Sequence, residues 1–247
     1  MKTIFLLGSI FFCSFVVNGQ TIADLLIRNG KIYDGTGNSW YYGDLAVKNG
    51  KIIKIGHITD IQAKKTIDAK GLIVAPGFID VHTHIEGDES ETPTADNFIH
   101  DGVTTVVTGN CGGSNVDIAD YFHRLDSIKT SVNIASLIGH NSVRRKVMGE
   151  EDRKPTPEEQ QKMEILIEEA MKQGAVGFST GLIYVPGTYS TKQEVIDLAK
   201  AAAKYNGVYA SHIRSEGNNV LDAIEEAVKI KEAGKATEII AITRIDP

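Results

Sequence analysis

The feature that most constrains the fold of this chain is an alternation of strand-like and helix-like segments from residue 72 onward. One helix begins at Thr156 and ends at Gly174, a second begins at Thr191 and ends at Gly207, and a third spans 218–233. The apolar segments that predict strands are residues 72–75, 78–81, 103–108, 132–138, 175–179, 208–212 and 237–242. Repeated strand–helix units predict a parallel sheet with right-handed crossovers.

The number of these units leaves two architectures open. About six units follow residue 72, whereas a (β/α)8 barrel has eight and is typically about 250 residues long. The pattern therefore fits either an open parallel sheet or an incomplete barrel. Two helix starts in this part carry capping-box spacing, Thr156 with Glu159 and Thr191 with Glu194.

The segment before residue 72 has a different pattern, with short strands separated by tight turns. Asn29-Gly30 and Asn49-Gly50 each follow an apolar run, and Asn-Gly at such a place favours a hairpin, since both turn residues need positive φ. Residues 20–75 are therefore predicted to form a small β-domain.

The N-terminus has the composition of an export signal. Lys2 precedes an apolar run over residues 3–17, and a cut near Gln20 would remove residues 1–19 as a signal peptide. The alternative is a membrane anchor, but the run is short against the roughly 20 residues that a spanning helix needs. We expect an exported protein, periplasmic or secreted, with no membrane association after cleavage.

The cysteine and charge content limit the possible states of the remaining thiol and the possible classes of binding partner. The chain has 2 cysteines, and loss of Cys13 with the signal leaves Cys111 free, intermolecular or bound to a metal. The formal net charge of -6 is spread along the chain, which disfavours a nucleic-acid partner.

Two histidines follow the strand at 78–81. On a strand, His82 and His84 point to the same face and could converge on one ion, although two exposed histidines after a strand would look the same. The whole segment PGFIDVHTH, residues 76–84, resembles the first-strand signature of the amidohydrolase superfamily.

Two further chemical groups follow predicted strands. Cys111 lies in a glycine-rich loop after 103–108, and His212 ends the strand at 208–212. The carboxyl ends of parallel strands share one rim, so we expect these groups to lie near His82 and His84. Imidazole and thiolate ligands favour zinc over magnesium or calcium.

Other motifs extend the resemblance to one branch of the superfamily, the N-acyl-D-amino-acid deacylases (D-aminoacylases). They are GNCG at residues 109–112, LIGHNSVR at 137–144, GFSTGLIYVPGTYS at 177–190 and YASHIRSEG at 209–217. The resemblance runs from about residue 24 to about residue 234. It implies an α/β fold, a (β/α)8 TIM barrel flanked by a small β-sandwich, here with the barrel domain at 76–247 apparently truncated after about six strands.

The resemblance also implies an activity, the zinc-dependent hydrolysis of N-acyl-D-amino acids. Cys111 would take the place of the bridging carboxylated lysine of other amidohydrolases. Cys111 and His212 would hold the tight zinc together with a sixth-strand histidine, and His82 and His84 would line a second, weaker position. A carboxylate on the eighth strand would move the proton.

Three more residues receive roles on the same basis. Tyr184 and Arg214 are candidates for contacts with the small-molecule substrate, although Arg214 is equally a candidate for a solvated loop residue. His140 is a candidate either for supporting the metal ligands from behind or for a structural cap. Histidines 57, 100 and 123 lie in no motif and are predicted to be solvated surface residues.

The chain departs from this branch in its last residues. No histidine follows His212, and Asp246 lies in no matching motif, so no catalytic carboxylate is assigned. A non-catalytic fragment therefore stays an alternative. An amidohydrolase acting on a dipeptide or a hydantoin is another, although GNCG argues against it because those relatives generally use a lysine or glutamate bridge.

Overall fold

A computed structural model describes residues 22–236 and 239–242 of the chain. The predicted signal peptide, with Cys13, lies outside the described residues. The described part divides into two compact units, one extending to Pro76 and the other beginning at Gly77. None of the helices in the described ranges combines the length and apolar character that crossing a membrane requires.

The first unit is a single five-stranded sheet built around its first strand. The strands are β1 (Ile22–Ile32), β2 (Tyr41–Lys48), β3 (Lys51–Gly56), β4 (Gln62–Asp68) and β5 (Ile73–Val74). Strand β1 pairs antiparallel with β2 and parallel with both β4 and β5. A small apolar cluster that includes Leu26, Ala46 and Ile58 forms the core of this unit.

The two Asn-Gly pairs behave differently. Asn49 and Gly50 connect β2 to β3 with φ values of 51° and 70°, as a hairpin turn requires. Asn29 also has positive φ, at 60°, but it lies inside β1 at a register shift against β2. The predicted turn at Asn29 is therefore wrong. The positive φ of Asn29 belongs instead to a β-bulge in β1. At this bulge the Asp44 side chain accepts a hydrogen bond from the Asn29 N–H.

The second unit contains a six-stranded parallel sheet in which each strand pairs with the next along the chain. Its strands are β6 (Phe78–Asp80), β7 (Val103–Thr108), β8 (Asn133–Gly139), β9 (Gly177–Gly181), β10 (Val208–His212) and β11 (Ile239–Ile242). The predicted strand at 72–75 belongs instead to the first unit, where Ile73 and Val74 pair with β1. The strand–helix series thus begins at Phe78.

Six helices accompany this sheet in the described residues. They are α1 (Asp96–His100), α2 (Ile118–Ile128), α3 (His140–Met148), α4 (Pro157–Lys172), α5 (Lys192–Ala203) and α6 (Val220–Gly234), with short 3-10 helices at Asp88–Ser90 and Gly187–Tyr189. The sequence predicted α4, α5 and α6 but not α1, α2 or α3.

The two predicted capping boxes have different outcomes. At the start of α4, Thr156 and Glu159 make both reciprocal hydrogen bonds. At the start of α5, Thr191 accepts a hydrogen bond from the Glu194 N–H, but no capping box forms. The Glu194 carboxylate is held by His140 and Arg144 instead. A buried cation therefore outcompetes the local cap for this carboxylate.

Apolar packing between the strands and helices forms the core of the second unit. Ile138, Phe178 and Tyr209 from β8, β9 and β10 are fully buried, together with Met163 and Ile167 of α4. Burial of each such side chain stabilises the fold by about 1.5–3 kcal/mol. The core thereby fixes β8, β9 and β10, the last of which ends at His212.

Candidate metal centre

The loop that carries Cys111 has an unusual backbone. Cys111 adopts a φ of 52° and Gly112 a φ of 76°, so the chain turns sharply after β7. Ser179 on β9 holds this loop, since its hydroxyl accepts from the Gly112 N–H and donates to the Gly109 carbonyl. The turn presents the thiol at the carboxyl end of the sheet.

The structure brings the four predicted metal ligands together. Cys111 Sγ lies 3.4 Å from His212 Nδ1 and 3.8 Å from His82 Nε2. One ligand atom each from His82, His84 and Cys111 lies within 4.8 Å of the others. The rings of His82 and His84 meet edge to face with centroids 5.0 Å apart. Three strand ends therefore deliver one thiol and three imidazoles to a single cluster.

Two nitrogens in this cluster are buried without a hydrogen-bond partner, His82 Nδ1 and His212 Nε2. His212 Nε2 lies 2.8 Å from the Glu216 carboxylate, within ion-pair distance. The ring nitrogens that face the thiol are the other two, His82 Nε2 and His212 Nδ1.

The protonation preferences of the cluster follow from its burial. Burial lowers the pKa of His82, and the neighbouring His84 lowers it further, which favours the neutral imidazole that ligates metals. Burial, reinforced by the Glu216 carboxylate, raises the pKa of the Cys111 thiol to about 11. A thiol of this kind is deprotonated when a cation coordinates it. Imidazole nitrogens with a thiolate are the donors that zinc prefers, so the residues fit that metal.

Tyr184 joins this cluster from the loop after β9. Its hydroxyl lies 3.3 Å from His212 Nδ1, and its ring meets the imidazole edge to face at a centroid distance of 4.7 Å. The side chain is 48% exposed, so it is open to a bound small molecule. A cavity of about 300 Å³ adjoins the histidines and is lined in part by His82, His84 and Phe98.

Arg214 lies two residues beyond His212 and already has protein partners. Its Nε and one terminal nitrogen pair with the Glu226 carboxylate at 2.9 and 3.0 Å, and the other terminal nitrogen donates to the Thr188 carbonyl at 2.9 Å. This places Arg214 between α6 and the loop that carries Tyr184. Its contact with a substrate stays a prediction.

His140 is fully buried and begins α3 directly after β8. Its Nε2 lies 3.0 Å from the Glu194 carboxylate, which also accepts two hydrogen bonds of 2.9 Å from Arg144 Nη1. Burial alone would raise the pKa of Glu194, but His140 and Arg144 hold it below its ordinary value. His140 makes no side-chain cap and is part of a buried ion cluster. The three unassigned histidines, 57, 100 and 123, are exposed as predicted.

Sequence reasoning missed residues that hold the site together. Ser179 and Asn141 lie inside the quoted motifs, and Glu86 accepts a hydrogen bond from the Gly109 N–H at the base of the cysteine loop. Their hydrogen bonds reach backbone groups many residues away. No local pattern in the sequence signals such contacts.

Comparison with known proteins agrees with this geometry. A protein-family model described as amidohydrolase family matches residues 65–243. The D-aminoacylase of Alcaligenes xylosoxydans xylosoxydans is 36% identical over 84% of this chain and 48% of its own length. The N-acyl-D-glutamate deacylase of the same organism is 35% identical over 88% of this chain and 49% of its own length.

A solved structure shows the same fold. The N-acyl-D-glutamate deacylase of Bordetella bronchiseptica, crystallised with zinc and a phosphonate mimic of the tetrahedral intermediate, matches with a TM-score of 0.86 at 36% identity. The match covers 90% of this chain and 52% of that protein, which confirms the predicted fold class. The chain spans about half the length of the relatives it matches. With a family match over most of its residues, this protein belongs to the amidohydrolase family.

Proposed function

We propose that this chain provides the zinc-binding part of an enzyme that hydrolyses the amide bond of N-acyl-D-amino acids. The observation that carries the proposal is the position of Cys111 Sγ, 3.4 Å from one strand-end imidazole and 3.8 Å from another. The similarity to a D-aminoacylase and to two N-acyl-D-glutamate deacylases supports the choice of substrate class.

The proposed ligands divide into two sets. Cys111 and His212, whose ligand atoms lie 3.4 Å apart, hold the tighter position, and His82 and His84 line the second. Bound zinc supplies a Lewis acid for the amide carbonyl and lowers the pKa of a water molecule. The loop after β7, which Ser179 holds by two hydrogen bonds, positions Cys111 for this role.

Substrate contacts are proposed for two side chains beside the ligands. The half-exposed Tyr184 hydroxyl donates to an oxygen of the N-acyl-D-amino acid next to His212. Arg214 takes part if the substrate carboxylate competes with Glu226 for its guanidinium. The reaction is further proposed to take place after export, in the periplasm or outside the cell.

The first experiment is a zinc measurement on the folded chain. We expect near-stoichiometric zinc by elemental analysis in the wild type and its loss in Cys111→Ala and His212→Ala. His123→Ala is the matched control, because this histidine is exposed on α2 and belongs to no cluster. A folded wild-type protein without zinc would contradict the proposal.

The second experiment separates metal binding from turnover and identifies the substrate. The zinc-loaded chain is offered N-acyl-D-amino acids, their L-enantiomers, a dipeptide and a hydantoin, with release of free amine as the readout. Hydrolysis restricted to the D-series supports the proposed activity. Hydrolysis of the hydantoin alone would replace it, and stoichiometric zinc without any turnover would leave metal binding as the function of these residues.

A further inference from the structure

The side chain of Asn141 is enclosed by the loops that carry the candidate site. Asn141 is the second residue of α3 and is 4% exposed. Its Oδ1 accepts a hydrogen bond from the Gly181 N–H at 3.3 Å, and its Nδ2 donates to the Gly181 carbonyl at 3.0 Å and to the Tyr184 carbonyl at 3.4 Å. Pairing with both backbone groups of Gly181 determines which end of the amide faces which partner.

Backbone also packs directly on this carboxamide. A Cβ atom placed on Gly112 would lie 2.2 Å from Asn141 Oδ1, and one placed on Gly187 would lie 2.7 Å from it. Both distances are far inside van der Waals contact, so only glycine permits the approach. Three backbone positions, at Gly112, Gly181 and Gly187, thus converge on one side chain.

The enclosed carboxamide links two residues of the candidate site through the backbone. Gly112 directly follows Cys111, and Tyr184 reaches His212 Nδ1 with its hydroxyl at 3.3 Å. The same His212 nitrogen lies 3.4 Å from Cys111 Sγ. A shift of Asn141 would therefore move the thiol relative to both the tyrosine and the imidazole.

We propose that Asn141 is a positioning residue that sets the distance between Cys111 and the Tyr184–His212 pair. This inference rests on the proposed function, in which Cys111 and His212 bind the metal. Asn141 itself touches neither metal nor substrate. It holds the loop after β7 and the loop after β9 at a fixed distance from each other. That distance in turn fixes the separation between Cys111 and the Tyr184–His212 pair.

Two substitutions test this role with different chemistry. Asn141→Asp keeps the shape but replaces the donor that faces two carbonyl oxygens with an acceptor. Asn141→Ala removes the side-chain hydrogen bonds and leaves a space, so it serves if the aspartate variant does not fold. Asn133→Asp is the matched control, because Asn133 is an exposed asparagine at the other end of β8 whose Nδ2 also donates to a backbone carbonyl.

The measurement is a Co²⁺ titration of the whole chain, followed by the thiolate-to-cobalt charge-transfer absorption. Loss of a group that supports a metal ligand typically weakens metal binding by about 10- to 100-fold. We expect at least a roughly tenfold rise in the Kd for Co²⁺ in both Asn141 variants, with a changed absorption band and native circular dichroism. The control should match the wild type.

A second readout does not depend on metal. The alkylation rate of Cys111 in the metal-free protein, with Cys111→Ala as the background, should rise as the loop loosens in the Asn141 variants. A purely space-filling role would lower the thermal stability of these variants without changing either the cobalt band or the thiol reactivity of the folded protein.

The outcomes separate the two proposals. A wild-type charge-transfer band with unchanged Kd and thiol reactivity in folded Asn141 variants overturns the positioning role and leaves the metal site intact. Absence of the band in the wild type overturns the metal site and the positioning role together.

Discussion

Two histidine-containing clusters in the second unit show how the same side chain serves different ends. His140 lies in a closed cluster, where its partner Glu194 is also held by Arg144 and all three are essentially inaccessible to solvent. His82 and His212 lie in an open cluster around the thiol of Cys111, whose sulfur is 3.8 Å from the first imidazole and 3.4 Å from the second. A histidine matched by a buried carboxylate stabilises a fold, whereas a histidine facing a thiol and other imidazoles is arranged for a cation.

The largest loss of stability is expected from a substitution that breaks the closed cluster. Arg144→Met leaves the buried Glu194 carboxylate without its guanidinium partner and should lower the free energy of unfolding by about 3–5 kcal/mol. Urea unfolding measures the loss. Arg145→Met is the control, since its ion pair with Glu150 is solvent-exposed and should contribute about 1 kcal/mol or less. Equal losses in the two variants would contradict a stabilising role for the closed cluster.

The open cluster should gain stability from zinc rather than from its own contacts. At a free zinc concentration of about 100 times Kd, binding should raise the free energy of unfolding of the wild type by about 2.7 kcal/mol. Thermal unfolding with and without zinc measures this gain, and removing the metal with a chelator should reverse it. Cys111→Ala should show almost no gain, while a zinc response that survives in this variant would place the metal elsewhere.

A smaller loss of stability is expected at acid pH, where the Glu194 carboxylate of the closed cluster becomes protonated. The pKa of Glu194 in the folded protein lies below its ordinary 4.5, so its contribution to stability is complete above that value and is lost as the pH falls below it. His140 and Arg144 are the groups that face this carboxylate. Protonation leaves the side chain in place, so the loss should be smaller than that in Arg144→Met.

Substitution of the titrating group tests this explanation. Glu194→Gln should unfold more easily than the wild type at neutral pH, but its stability should fall less between about pH 6 and about pH 3. Chemical unfolding at a series of pH values provides the comparison. Parallel curves for the two proteins would assign acid sensitivity to other carboxylates.

Much of the fold could be predicted from local pattern. The capping box at Thr156 and the glycines that end the predicted helices are short-range signals, and they located α4 and α5 correctly. The helix α3 was missed because it starts directly at the end of β8 with no polar capping side chain, at Gly139. The strand at Ile73 was placed in the wrong sheet, since its partner β1 lies some forty residues earlier in the chain.

The convergence of the candidate ligands could be predicted from the sequence, whereas the contacts that support them could not. His82, His84 and Cys111 follow predicted strands and His212 ends one, and parallel strands bring their carboxyl ends to one rim. The partners of Arg214 and His140 were not foreseen, because Glu226 and Glu194 lie on helices whose facing surfaces depend on packing.

The sequence by itself determined the alternation of strands and helices and the residue types that meet at the strand ends. Periodicity, capping and ligand chemistry depend on residues close together in the chain, so the sequence alone indicates them. Only the tertiary structure decided that the Glu194 carboxylate pairs with His140 and Arg144 and does not complete the predicted capping box. It also decided that the Asn141 side chain is enclosed by three glycines. Those outcomes depend on burial, which makes an unpaired charge or amide costly and so selects distant partners over near ones.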